Sequence, residues 1–439
     1  MNRQLGTYSA VFLVVASMLG TGILTTTGII LSLVKTPGAA LGVWIAGGFL
    51  ALIGAWCYGE LARLVPRNGG EATILRELLS PTLGEIAGLT SFVVGFAACN
   101  AASSLAFVDY LGEALPGISL PPALLASIVL LAVTALHGLF GTVGLRIQTL
   151  LATAKFTLLA SLALYGIFFA APLIGVPAAA PHAQGTGSGG AWGQAMMLVM
   201  FAYSGWNAAI YVAGEIREPA RNVRRILLLG TAIIVVLYIA VNAVLLSRIP
   251  TQELEGVRPV IAALVKRMFG ADASSVFSGL VAFALLSSLG VSAFLGPRVL
   301  AAMLEWFNKD AEDKNDAAPA GLNPRLVWLQ GVLSIAMVLT GSFVQILTIM
   351  GFLLGLFPIL SILCLYRETA AAGTWASRLA RYVFAPLFIA VSTIVLILGA
   401  SQSPREVTFA LALVGFLYVS RVAVRRFAKF GLNLRASNK

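Results

Sequence analysis

Between residues 7 and 424 the chain is a succession of twelve apolar runs joined by short polar linkers. The runs fall at 7–33, 39–65, 83–111, 121–139, 147–170, 192–213, 226–246, 274–303, 326–340, 343–365, 382–400 and 407–424. Most are close to or above the ~20 residues that an α-helix needs to cross a hydrocarbon core ~30 Å thick. Only 11% of the residues are charged, against about 25% in soluble domains. That is too little charge to coat a surface facing water, so most of this surface faces lipid. A chain in lipid must satisfy its backbone hydrogen bonds internally, which leaves helices as the simplest solution. The expected fold is therefore an all-α membrane protein with twelve transmembrane helices.

The net charge of +11 does not point to nucleic acid, because the basic residues are spread loop by loop with no long basic tract. Their distribution reads as topology. With the N-terminus inside, 22 of the 29 Lys and Arg residues fall in cytoplasmic segments, including Arg63, Arg67 and Arg76, the cluster Arg217, Arg221, Arg224 and Arg225, and the C-terminal tail. Six fall outside: Lys35, Arg248, Arg258, Lys266, Arg267 and Arg405. This asymmetry predicts a multi-pass protein of the cell (plasma or inner) membrane with both termini cytoplasmic. Cys57, Cys99 and Cys364 all lie in apolar segments and form no disulfide framework or metal-ligand spacing. His137 and His182 are far apart, so neither a metal nor another cofactor is expected. The first run is too long for a cleavable leader and lacks a small-residue cleavage pattern.

Two runs are interrupted by glycine near their middles. The first carries Ser17-Met18-Leu19-Gly20-Thr21-Gly22-Ile23, and the sixth carries Phe201-Ala202-Tyr203-Ser204-Gly205-Trp206-Asn207. Glycine is costly inside a helix. One reading is close helix packing through small residues. The pairing of the two interruptions, five runs apart, favours helices that open at the bilayer midplane around a solute. An opened helix exposes N–H groups at one half-helix start and C=O groups at the other half-helix end. The first attract a carboxylate and the second an ammonium. An α-amino acid carries both.

These segments resemble the amino acid–polyamine–organocation (APC) transporter superfamily, and within it the L-type amino-acid transporter branch. Gly20–Ile23 is similar to its G-S/T-G-I motif. Gly59-Glu60-Leu61, Pro66 and Gly69-Gly70-Glu71 resemble its E-L…P…G-G-E segment. Phe201–Asn207, followed by Glu215, Pro219 and Asn222, resembles its F-A-Y-G-G-W-N…E…P…N pattern. The resemblance runs with gaps from residue 7 to about 305, and the last four runs are generic. It implies a LeuT-like five-plus-five inverted repeat with two extra C-terminal helices. The expected division is 1–170 for the first repeat, 171–191 for an external loop, 192–366 for the second repeat, and 367–439 for the last two helices and a cytoplasmic tail. The sequence departs from the pattern at Ser204, where the family often has glycine, and at Ala72-Thr73-Ile74, which lack the usual tyrosines. Animal members bond a glycoprotein subunit through a cysteine between the third and fourth helices. Residues 113–122 hold none, so no disulfide-linked partner is expected.

Lys155, the basic residue assigned to neither face, lies inside the fifth run, ~13 Å from its start at 1.5 Å per residue. An ionisable residue in a span is functional by default. The resemblance implies that this lysine substitutes for a bound sodium ion, joining the first and eighth helices, where Ser287 and Ser288 offer hydroxyls. Interhelical packing is the alternative role of those serines. The resemblance also makes Phe201 a lid over the substrate.

The expected function is a sodium-independent secondary transporter of small neutral amino acids, working by alternating access. Thr21, Gly22 and Ile23, after Gly20, would take the carboxylate. Ser17 and Met18 would lie near the ammonium, held from the other side by carbonyls of Phe201, Ala202 and Ser204. Trp206 and Asn207 would line the far wall. No acid falls in this set, which argues against a dibasic substrate. Among the acids, Asp109 lies within a run, near its outer end. Glu215 with Arg217–Arg225 is either a cytoplasmic network or a solvated face. An exporter or exchanger of another amine-bearing solute, such as a polyamine or cationic amino acid, is the alternative. An enzyme would need paired carboxylates or a histidine-centred site within the runs. A channel would need charged rings or repeated filter loops.

Overall fold

The computed structural model describes residues 5–140, 145–168, 187–309, 323–367 and 374–436. Among the described residues all regular elements are helical, apart from one isolated parallel bridge between Leu5 and Ile216. The helices are α1 (Thr7–Met18), α2 (Gly22–Val34), α3 (Pro37–Leu64), α4 (Gly70–Leu78), α5 (Pro81–Ala114), α6 (Pro122–Phe140), α7 (Leu145–Phe168), α8 (Gly189–Ala202), α9 (Pro219–Arg248), α10 (Val260–Phe269), α11 (Ala271–Lys309), α12 (Pro324–Thr340), α13 (Phe343–Leu363), α14 (Trp375–Gln402) and α15 (Pro404–Ala436). Six of them start on proline, whose missing N–H costs nothing in a first turn. A capping box, Ser342 with Gln345, starts α13.

Eight helices among the described residues are long and apolar enough to cross a membrane, and the pair α1 and α2, bent by 42° at its break, makes a ninth. The chain is thus a multi-pass membrane protein. Of the other three apolar runs, 192–213 forms the 14-residue α8 and then a 3-10 segment, 326–340 lies in the 17-residue α12, and 407–424 lies in the 33-residue α15. Most of the loop expected at 171–191, and the linker residues 310–322, lie outside the described residues.

Apolar side chains such as Leu139, Phe168, Val236, Ile397 and Phe416 are exposed, as a lipid-facing surface requires. Aromatic bulk fills the interior: Trp44, Tyr58, Tyr110, Tyr203 and Tyr238 are fully buried. Helix packing follows a pattern. α2 packs on α8, α3 on α9, the Cys99–Ala114 part of α5 on α11, and α6 on α12.

Candidate substrate site at two broken helices

The first break begins where Leu19, at ψ 61°, leaves helical geometry after Met18. Its exposed carbonyls find specific donors. The Met18 carbonyl accepts from the Gly20 N–H at 2.7 Å and from the Tyr238 hydroxyl at 2.6 Å. The Leu19 carbonyl accepts from the Lys155 ammonium at 2.9 Å. On the far side of the break, α2 starts at Gly22, and the first N–H groups of a helix have no intrahelical acceptor. The Thr21 hydroxyl beside them is buried and makes no hydrogen bond. Thr25 and Thr26 donate back to the carbonyls of Thr21 and Gly22, each at 2.8 Å.

The second break follows Ala202, where Tyr203–Asn207 turn before a 3-10 segment, Ala208–Glu215. Gly205 holds φ at +97°, a region that favours glycine. The two breaks meet backbone to backbone. A Cβ on Gly205 would stand 2.7 Å from the Ser17 carbonyl oxygen, and a Cβ on Gly22 would overlap Ala202. Ser17, Gly20, Ser204 and Asn207 are half-buried among buried neighbours, including Met18, Ile23, Phe201 and Ala202. This contact between facing half-helix ends is what packing and opening both require, so the glycines serve close approach in the arrangement seen.

An aromatic cluster braces both breaks. Tyr203, in the second break, donates to the Trp44 carbonyl at 3.1 Å. Tyr238, which caps the first, lies 5.3 Å from Tyr203 and 5.7 Å from Trp44 between ring centroids. Such pairs contribute about 0.5–1.5 kcal/mol each beyond burial.

Lys155 is buried and donates to the Ser288 hydroxyl at 2.7 Å as well as to Leu19. It therefore links α7, the first break and α11. Ser287 does not join it, because its hydroxyl donates to the Ala284 carbonyl of its own helix. Asp109 is elsewhere, paired with Arg258 at 2.9 Å.

Trp206 and Asn207 turn toward α3 and α4. Trp206 meets Tyr58 edge-on, with centroids 4.7 Å apart, and tilts against Phe388 at 6.2 Å. The Asn207 amide donates to the Glu71 carboxylate at 2.9 Å, and the Tyr58 hydroxyl donates to the same oxygen at 2.6 Å. An acid from outside the apolar runs thus touches a candidate site residue, although the set expected from sequence holds none. The visible signal was the Gly69-Gly70-Glu71 motif, but nothing in it specifies a partner 136 residues away. Burial pushes the Glu71 carboxyl up to about 7, against the opposing pull of its bonds from Tyr58 and Asn207.

Around this point the connecting segments are tied together. Glu60 takes Arg224 at 2.6 Å, Arg63 at 3.1 Å and the Ser377 hydroxyl at 2.8 Å. Glu215 accepts from Asn68 at 3.3 Å, and its carbonyl accepts from the Leu5 N–H at 2.7 Å. Arg221 sits 3.9 Å from Glu218 at the exposed edge.

Fold and site together define a helical multi-pass membrane protein in which two opposed broken helices meet beside a buried lysine. The chain belongs to the amino acid permease family, whose model matches residues 5–400. It is similar to the mouse b(0,+)-type amino acid transporter 1, 28% identical over 305 residues, which are 68% of this chain and 62% of that protein. It is also similar to the human large neutral amino acids transporter small subunit 2, 26% identical over 292 residues, which are 62% of this chain and 52% of that protein. The chain thus matches less than two thirds of the length of these relatives.

Proposed function

We propose that this chain is a sodium-independent secondary transporter of small neutral amino acids, working by alternating access in the cell membrane with both termini cytoplasmic. The observation that carries this reading is the meeting of two broken helices at Ser17–Gly22 and Ala202–Gly205, with Lys155 bridging one of them to α11. In the cycle, Thr21, Gly22 and Ile23 offer N–H groups and a free hydroxyl to the substrate carboxylate. The carbonyl ends at Ser17, Met18, Phe201, Ala202 and Ser204 receive the ammonium, with Gly20 leaving room between them. Phe201 closes over the solute. Lys155 stands where a cation stabilises the substrate-ready state, and Ser288 is its second anchor. Membership of the amino acid permease family and similarity to two amino acid transporters support the substrate class.

The architecture that goes with this reading has twelve crossings, ten of them in two inverted repeats of five. Its support is the packing of the first, second, third and fourth spans on the sixth, seventh, eighth and ninth, a constant offset of five. No disulfide-linked partner is required, since residues 113–122 hold no cysteine. A second reading, exchange of a cationic amino acid or polyamine, gains from one observation: the Glu71 carboxylate lies against Asn207.

Thermal-shift screening of the purified protein tests both readings, because a ligand that binds only the folded state raises its stability. Alanine, serine and larger neutral amino acids are expected to raise the unfolding temperature. A shift produced by arginine or a polyamine alone would favour the second reading, and a shift by none would contradict both.

A further inference from the structure

Glu71 is a buried carboxylate whose hydrogen-bond donors, the Tyr58 hydroxyl and the Asn207 amide, are both neutral. The ionisable groups on the packed elements are engaged elsewhere. On α3, Glu60 holds Arg224 and Arg63. On α4 itself, Glu77 pairs with Arg67, and Arg76 stacks on Trp306. On α5, Glu85 faces Arg421, 3.8 Å away. The 3-10 segment contributes Tyr211, whose ring underlies Gly70, and Glu215, which takes Asn68. The turn after α13 contributes Cys364 and Tyr366, whose hydrogen atoms go to the Leu360 and Arg381 carbonyls. α13 itself carries no ionisable side chain.

A buried carboxylate held by neutral groups is disfavoured in its charged form and takes up a proton more readily than one in water. Two things make this more than a local titration. First, Asn207 is the last residue of the second break, two positions after Gly205. Second, Tyr58 also packs on Trp206, so both donors to Glu71 report to the same turn. An ionised carboxylate grips its donors in charge-assisted bonds, and a neutral acid holds them more loosely.

We propose that Glu71 is a proton-binding site coupled to the break in the sixth span, so that a proton taken up by its carboxylate loosens Asn207 and Tyr58 and its release tightens them. This rests on the reading of the chain as a transporter. The proton comes from water and returns to it, with no other bond made or broken. Because linkage is reciprocal, a substrate that closes the break shifts the proton affinity of Glu71, and pH shifts the affinity for substrate. The ordinary value of the carboxyl, raised by burial to about 7, puts this exchange in the physiological range.

Infrared difference spectra of the purified protein, titrated from about pH 5.5 to about pH 8.5, test the site directly. A carboxylic-acid C=O band should disappear with a midpoint near neutrality and be absent in Glu71→Gln. No band, or the same band in Glu71→Gln, would overturn the proposal. Should Glu71→Gln not fold, Tyr58→Phe serves: loss of a donor to the carboxylate should move the midpoint to higher pH, and an unmoved midpoint would overturn it. The coupling is read by exchange of tritiated alanine in proteoliposomes. The wild-type rate should change about threefold or more across this window, and Glu71→Gln should keep exchange with a flat profile. Equal pH profiles would overturn the coupling. Absence of exchange of any amino acid by the wild type would instead defeat the transporter reading, leaving the infrared titration to decide the proton site.

Discussion

The Lys155 ammonium and the Leu19 carbonyl, 136 residues apart in sequence, meet at 2.9 Å, and the ammonium's other partner is the Ser288 hydroxyl at 2.7 Å. A helix that is broken leaves carbonyls that a bilayer cannot satisfy, and here a cation on another helix answers one of them. Neighbouring serines on α11 should therefore behave differently. Ser288→Ala should lower exchange several-fold and Lys155→Ala should abolish it, while Ser287→Ala should leave it within twofold of wild type. Each loss corresponds to a hydrogen-bonding group left unpaired, about 1–3 kcal/mol. Equal effects of the two serine variants in a proteoliposome exchange assay would contradict this arrangement.

Gly205 is constrained twice, by its φ of +97° and by the Ser17 carbonyl 2.7 Å from where a Cβ would sit. Gly205→Ala should cost about 1–3 kcal/mol, the range for a non-glycine residue forced into such backbone geometry. It should also pry the two breaks apart. Thermal unfolding in detergent measures the first effect, and an unchanged unfolding temperature would mean that the turn relaxes without strain.

The raised carboxyl of Glu71 makes a prediction about stability. In the unfolded chain it titrates at its ordinary value of 4.5, and in the folded chain at about 7. The folded state therefore binds the proton more tightly, so this group's contribution is fully present below pH 4.5 and is lost as pH rises through 7. Unfolding temperature should fall across that window, and Glu71→Gln should flatten the fall. A variant that keeps the full slope would assign it to another group.

The two breaks were legible because glycine is an expensive residue in a helix interior and the interruptions recur in paired positions. Lys155 was legible because a lone cation in an apolar run has to be held by something. The choice between Ser287 and Ser288 was not, since adjacent residues point about 100° apart on a helix and sequence does not fix the helix's rotation. Trp44 and Tyr238 lie in apolar runs, where an aromatic carries no signal of its own. Their work in bracing Tyr203 and capping Met18 depends on which helices pack together. Glu71 stood in a motif between runs, and only the fold brings it under Asn207.

The charge asymmetry of the loops predicts opposite locations for Gly187 and Asn315, with Gly187 outside. Gly187 lies just before α8, and Asn315 is outside the described residues. Single cysteines at these positions, in a background with Cys57, Cys99 and Cys364 replaced, should label with an impermeant maleimide from opposite faces of the membrane. Labelling of both from one face would contradict the proposed crossings between them.

The most direct test of the account is exchange of tritiated neutral amino acids into proteoliposomes preloaded with the unlabelled amino acid, measured once in sodium and once with choline in its place. The breaks at Gly20–Gly22 and Ser204–Gly205 and the cation at Lys155 predict accumulation above protein-free vesicles at the same rate in both salts. Accumulation that needs sodium, or no accumulation of any amino acid in either salt, would contradict it.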